Sequence, residues 1–237
     1  MSAAFVLPHA AGQIISYLEM CQAWSVSFQQ GMHFHLRPNL SVLLMSRRTN
    51  APYKDRVEEN GRVLIYEGHD ASRKQGSPDP KSVDQPRMIR GGKLTRNGLF
   101  EKAAIETSDG QRAPEVVAVY EKIHVGIWAF NGFFRLTDCW QEKDGSRSVF
   151  KFRLELAEDL VIEAAPPDLL PHSRVIPSAV KLEVWQRDRG RCVICGATDQ
   201  LHFDHDLPYS KGGTSLTAKN IRLLCARHNL SKSDNIQ

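Results

Sequence analysis

Cys192 and Cys195 stand two residues apart, and so do Cys225 and His228 about thirty residues further on. Thiolate and imidazole are donors that zinc prefers, and two short-spaced pairs a loop apart supply the four ligands of a tetrahedral site. The insert between the pairs reads LHFDHDLPYSKGG and then NIRLL. It places a carboxylate beside an imidazole, Asp204-His205, ahead of a tight Gly212-Gly213 turn, and Asn220 follows. An imidazole near its ordinary pKa can take a proton from water at neutral pH. A zinc-stapled binding finger is the plainer alternative, but such a finger has no use for Asp204-His205 followed by that turn.

This arrangement resembles the HNH nucleases, whose ββα-metal fold is a hairpin followed by a helix. The resemblance covers the last fifty to sixty residues. It implies that His205 is the general base toward the attacking water, that Asp204 and Asn229 hold one catalytic divalent ion, Mg²⁺ or similar, and that Asn220 braces the hairpin loop and orients His205. Many members carry His where this chain has Asn229 and a fourth Cys where it has His228. The first departure gives an HNN variant with a weaker oxygen ligand, and the second keeps a good zinc ligand. Two metals are therefore expected. A structural Zn²⁺ on Cys192, Cys195, Cys225 and His228 folds a module too small to bury much core. The other ion neutralises charge on the scissile phosphate.

The elements that position these groups follow from the rest of the chain. Its 237 residues suggest one large or two modest domains, and a net charge of +4 suits a polyanionic partner without requiring one. No run of about twenty apolar residues occurs, so no membrane span is expected. The opening MSAAFVLPHAAGQ lacks a basic start and a sustained apolar core, so no signal peptide is expected. With three cysteines assigned to zinc, Cys21 and Cys139 are expected as buried thiols in a reducing cytoplasm.

From Ile14 to Gln30 an apolar face at helical spacing predicts a helix ended by Gly31. HFHLRPNLSVLLMSR predicts two strands about a Pro38-Asn39 turn, with His33 and His35 on one face. Asn60-Gly61 signals a hairpin into a strand ending at Tyr66. The polar loop SRKQGSPDPKSVDQPRMIRGGK offers Arg73, Lys74, Arg87 and Arg90 to a DNA backbone, or is simply a mobile loop. A helix over 94–104 would be capped by Thr95 or Asn97. Three further strands follow, with turns at Asn131-Gly132 and at 143–145. Many short strands with few helices predict an α+β fold whose N-terminal part is a curled, barrel-like sheet flanked by helices. Pro166, Pro167, Pro171 and Pro177 make a stiff connector, which divides the chain into 1–160, a linker at 161–178, and 179–237. Ser178 would cap the helix that leads into the zinc module. Lys181, Arg187, Lys211 and Lys232 are among the basic residues that give this end a cationic character suited to phosphate.

A second resemblance lies in the first 160 residues. YEG, GGKLTRNGLFEKA, PEVVAVYEK, WAFNGFFRLTDCW and VFKFRLEL fall in the order seen in SRA (YDG) domains, which bind DNA carrying modified cytosine by flipping the base into a pocket. The signature Tyr-Asp-Gly stands here as Phe130-Asn131-Gly132. The resemblance implies a base sandwiched by Tyr53 and Tyr66 and read by Asp55, with Glu67 and His69 lining the same pocket. An Asp accepts from the exocyclic amino group of cytosine.

Together the two resemblances imply a cytoplasmic, modification-dependent restriction endonuclease acting on double-stranded DNA that carries 5-methyl- or 5-hydroxymethylcytosine. Cutting both strands implies a homodimer. The alternatives are a nonspecific or nicking nuclease, and a non-catalytic zinc-stapled nucleic-acid-binding protein.

Overall fold

A computed structural model of the chain describes residues 9–46, 51–73, 75–158, 176–207 and 215–233. Its first part is built on one mixed sheet. The strands are β1 (Ile14–Ser16), β2 (Met32–Arg37), β3 (Leu40–Met45), β4 (Arg56–Glu58), β5 (Val63–Glu67), β6 (Val116–His124), β7 (Ile127–Asp144) and β8 (Arg147–Leu156). They run in the order β2-β3-β6-β7-β8-β5-β4, and β1 adds to β7. Only β3 and β6 pair in parallel.

Period-two alternation gives this sheet two buried faces. Val117 and Val119 face α2 (Arg96–Ser108), where Phe100 and Ala103 lie. Ala118 and Tyr120 face α1 (Tyr17–Trp24) and pack with Met20 and Trp24. Met32 and Leu43, near one end of the strand order, share the α2 core with Leu64 and Tyr66 near the other. The sheet therefore curls around α2, but its path stays open at β2 and β4 rather than closing as a barrel.

Three local expectations are corrected. The helix expected from Ile14 starts later: Ile14–Ser16 pairs with β7, and a Ser16/Glu19 capping box opens α1, with Glu19 N–H donating to Ser16 Oγ at 3.2 Å and Ser16 N–H to Glu19 Oε2 at 2.6 Å. It ends at Ser25 in the left-handed region, not at Gly31. Asn131-Gly132 is not a turn. It sits inside β7 where the β6 pairing slips, with Gly132 at φ +102°, so the glycine permits a bulge while the reversal falls at Gly126.

The C-terminal part comprises α3 (Ser178–Arg187), the hairpin β9 (Leu201–His205) and β10 (Ile221–Cys225), and α4 (Ala226–Ser233). Ser178 is the first helical residue rather than the cap. Pro177 occupies the cap position without a side-chain bond. Val180, Val184, Phe203 and Leu223 form one apolar cluster with Ile14, Ile123 and Ala129, so the hairpin module packs on the large sheet. Phe203 N–H also donates to Gly12 O at 3.1 Å. Most of the Pro-rich connector lies outside the described residues. Cys21 and Cys139, expected as buried thiols, are half-buried. Among the described residues no helix is long and apolar enough to cross a membrane.

Candidate metal centre and nucleic-acid pocket

Cys192 and Cys195 lie on a knuckle closed by Cys192 N–H to Ala197 O and Gly196 N–H to Cys192 O, both 2.8 Å. Val193 N–H donates to Leu223 O at 3.0 Å and ties the knuckle to β10. Cys225 ends β10, and His228 follows in the first turn of α4. The four donor atoms all lie within 4.8 Å of one another. His228 Nδ1 is 3.4 Å from the Sγ of both Cys192 and Cys225, and Cys195 Sγ is 3.8 Å from Cys225 Sγ. Tetrahedral zinc, with Zn–S of about 2.3 Å and Zn–N of about 2.0–2.1 Å, requires edges of about 3.8 Å between sulfurs and about 3.5 Å from sulfur to nitrogen. Donor chemistry and spacing both fit a structural zinc ion. Burial pushes the Cys192 thiol up, but backbone N–H groups and His228 outweigh it and bring the thiol down to about 6, toward the thiolate that zinc binds.

The hairpin presents the remaining candidates. Asp204 and His205 are the last two residues of β9, half-buried, opposite Arg222 and Ile221. His205 Nε2 lies 2.8 Å from Ser215 Oγ, a buried partner that no motif or spacing singles out. Asn220 uses both ends of its amide on one residue: Oδ1 accepts from Leu207 N–H at 2.8 Å, and Nδ2 donates to Leu207 O at 3.0 Å. Its carbonyl accepts from Asp206 N–H at 2.7 Å. Asn220 thereby fixes the two residues that follow His205. Asn229 is half-buried on α4, one position past His228, and α4 packs on both β9 and β10. Asp204 and Asn229 offer hard oxygen donors of the kind Mg²⁺ takes, which suits an ion whose other ligands are water and phosphate. Lys211 and the Gly212-Gly213 turn lie outside the described residues, as does the side chain of Lys232.

A cavity of about 760 Å³ opens on the large sheet. Tyr53, Asp55 and His69 line it together with Phe28 and Trp128. The Tyr53 and His69 rings are nearly parallel, at 9°, with centroids 5.2 Å apart. Lys81 Nζ sits 4.5 Å from the Tyr53 centroid. His69 is held by Asn97, which accepts from its N–H and donates to its carbonyl, both at 2.8 Å. Asn97, an alternative cap residue in the sequence, is thus an anchor, and Thr95 caps α2. Burial lowers the His69 imidazole to about 4, so the ring is neutral at physiological pH. Asp55 Oδ1 accepts from Glu67 N–H at 2.9 Å, and burial raises its carboxyl to about 7.

Two expected pocket residues do not line this cavity. Tyr66 is 1 % exposed, and its hydroxyl lies 3.3 Å from both Gly31 O and Leu44 O. Strand alternation turns it inward with Leu64 into the α2 core, so the ring opposite Tyr53 is His69. Glu67 is equally buried and lies between Arg147 Nη2 at 3.3 Å and Lys151 Nζ at 2.8 Å. Among the basic residues offered to DNA, Arg90 is exposed, Arg73 lies 4.0 Å from Asp79, and Arg87 pairs with Glu101 at 2.6 Å. Lys74 is outside the described residues. Lys181 does not form part of a phosphate-facing surface, and Arg187, though exposed, is held by neighbours. Lys181 is buried on Glu121, and Arg187 is taken up by Asp188 and backbone carbonyls.

Residues 192–235 match the family model for HNH endonuclease, so the C-terminal part is an HNH endonuclease domain. Among solved structures the chain is similar to the SUVH5 SRA domain in complex with methylated CHH DNA, at 17% identity and a TM-score of 0.46, covering 68% of this chain and 96% of that one. It is similar to SUVH5 SRA bound to fully hydroxymethylated CG DNA, at 18% identity and a TM-score of 0.45 over the same shares. A third neighbour is SUVH6 of Arabidopsis thaliana in complex with SAM, at 18% identity and a TM-score of 0.41, covering 71% of this chain and 30% of that one. None of the curated proteins compared with the chain matches it.

Proposed function

We propose that this protein is a modification-dependent DNA endonuclease. Its large domain reads a 5-modified cytosine, and its HNH domain hydrolyses a phosphodiester bond nearby. The observation that carries the reading is the pairing of two sites on one packed molecule: an HNH hairpin bearing His205 and Asn220, and a cavity whose walls are aromatic and whose floor holds the carboxyl of Asp55.

In the nuclease site, His205 is the general base toward water, and Ser215 Oγ, 2.8 Å from its Nε2, holds the imidazole in place. Asn220 keeps the chain beyond His205 from moving as the proton is transferred. Asp204 and Asn229 would hold a divalent ion, which when bound neutralises charge on the phosphate and the leaving oxygen. Zn²⁺ on Cys192, Cys195, Cys225 and His228 folds the module and takes no part in the chemistry.

In the cavity, a flipped base recovers the few kcal/mol of lost stacking and pairing from aromatic faces and edge hydrogen bonds. Tyr53 and His69 supply the faces. Their rings stand too close for a base to slip between unmoved, so the base parts them on entry. Asp55 reads the cytosine edge. Exposed Arg73 and Arg90 meet the backbone. Two active sites, and hence a homodimer, act on the two strands.

Matched plasmids, methylated, hydroxymethylated and unmodified, incubated with Mg²⁺ or EDTA, test the reading. Cleavage confined to modified DNA with Mg²⁺ supports it. Equal cleavage of all three plasmids would reduce the protein to a nonspecific nuclease. Binding without cleavage, unaffected by His205→Ala, would leave only a nucleic-acid-binding protein.

A further inference from the structure

The contact between the two domains contains a buried charge cluster that neither site uses. Lys181, in the first turn of α3, is 2 % exposed. Its Nζ lies 2.7 Å from Glu121 Oε2 on β6 and 2.5 Å from Asn131 Oδ1 on β7. Asn131 Nδ2 closes the triangle by donating to the same Glu121 oxygen at 3.2 Å. Glu121 is 2 % and Asn131 6 % exposed, so three polar groups from two domains are withdrawn from water together.

Stability does not account for this cluster. Desolvating an ammonium and a carboxylate consumes most of what their attraction returns, and a well-packed apolar replacement is often as stable. The domains already share an apolar cluster, in which Ile14, Ile123 and Ala129 meet Val180 and Val184. Apolar contact is non-directional and tolerates sliding. A buried ion pair with a bridging amide is satisfied in one register only.

That register is passed on by the same helix. At the far end of α3, Arg187 donates to Ala218 O at 2.6 Å and Ile221 O at 2.7 Å, the carbonyls that bracket Asn220. On the sheet side, Lys122 adjoins Glu121 and lines the cavity, as does Trp128. One ten-residue helix is therefore pinned at one end to the strands that bear the cavity and at the other to the residue that fixes the loop after His205.

We propose that Lys181 is a positioning residue for cleavage: through α3 it sets the offset between the base cavity and His205, so that the cut falls at a fixed distance from the modified base. This rests on the proposed function, but its structural half can be tested without cleavage, because Phe203 N–H crosses the domain contact to Gly12 O.

The variant is Lys181→Met with Glu121→Gln in the full-length, zinc-loaded chain. Both charges are removed, since Lys181→Met alone strands a buried carboxylate and endangers the fold. Product ends are mapped at nucleotide resolution on a duplex with one modified cytosine, and Phe203 amide exchange is followed by NMR. Wild type is expected to give a narrow set of ends and a protected Phe203. The double variant is expected to bind the duplex equally, spread its ends over several positions, and exchange the Phe203 amide about tenfold faster through local opening. Unchanged exchange in the double variant overturns the proposal whatever the cutting pattern. So does an equally narrow set of ends. Faster exchange with no modification-dependent cutting by wild type would sink the functional reading and leave Lys181 as the element that fixes domain register.

Discussion

Asp55→Asn tests the physical state of the cavity. Burial holds the Asp55 carboxyl at about 7, against an ordinary value of 3.8. Between those values the native protein keeps a proton that the unfolded chain has released. Stability therefore falls as pH rises from about 4 to about 7, and the full cost stands above 7. Three pH units at about 1.4 kcal/mol each amount to roughly 4 kcal/mol, an upper bound because water entering the cavity would lessen it. Asparagine removes the titration and still accepts from Glu67 N–H through one oxygen. The variant should thus be close to wild type in stability near pH 4, where the protonated carboxyl also accepts through one carbonyl oxygen, and more stable by up to about 4 kcal/mol above pH 7. Urea denaturation of the zinc-loaded proteins across this range measures the difference. Because His69 and His202 titrate in both proteins, they largely cancel from it. Parallel curves, or a difference that shrinks as pH rises, would show the carboxyl ionised and well solvated, and the argument for a dry reading pocket would fail.

The remaining predictions concern the two sites and the staple. Tyr53→Ala should weaken binding to modified DNA more than to unmodified DNA in a competition assay, whereas equal losses would place Tyr53 outside the reading surface. Tyr66→Ala is the wrong test of that pocket: its buried ring belongs to the core, and its loss should cost about 3–5 kcal/mol by thermal or urea denaturation. Chelation of zinc, or Cys225→Ser, should unfold the hairpin module while the large sheet persists, seen as selective loss of amide protection over 192–233. Ser215→Ala should lower the cleavage rate about tenfold or more with DNA affinity intact, and Ser215→Thr should restore much of it, since the hydroxyl holds the imidazole in place.

How much of this was legible in the sequence depended on the range of the interactions involved. The cluster of Cys192, Cys195, Cys225 and His228 was readable because metal coordination imposes local spacing: two residues between each pair, and a hairpin to bring the pairs together. Asn220 was readable through a family resemblance, and its amide does engage the loop beside His205. β2, β3, β5 and β8 announced themselves by alternation and by turn residues, whereas the reversal between β6 and β7 at Gly126 did not. What failed was decided by tertiary contact. Asn131-Gly132 has the composition of a turn, yet a long strand passes through it because the adjacent β6 pairing absorbs a bulge there. Tyr66 has the right type and neighbourhood for a pocket wall, but a one-residue parity points it at α2, and no local signal distinguishes the two faces of a strand buried on both sides.

The same limit explains why Lys181 read as one more cation on a basic helix. Its partners lie 60 and 50 positions away, and nothing in its neighbourhood in the chain marks it as buried. A lysine with an expected solvated face and an observed exposure of 2 % is a conflict between local and global preference. Such conflicts persist where something other than stability is served. Here the conflict falls where one helix joins the cavity-bearing strands to the hairpin of His205. Glu121 and Asn131 meet it there with a buried polar contact between the two domains. The Asn131 of the FNG stretch in β7, which stands where the Tyr-Asp-Gly signature has its Asp, thus bears on the joint between the two domains: it is 6 % exposed and spends both ends of its amide on Lys181 and Glu121.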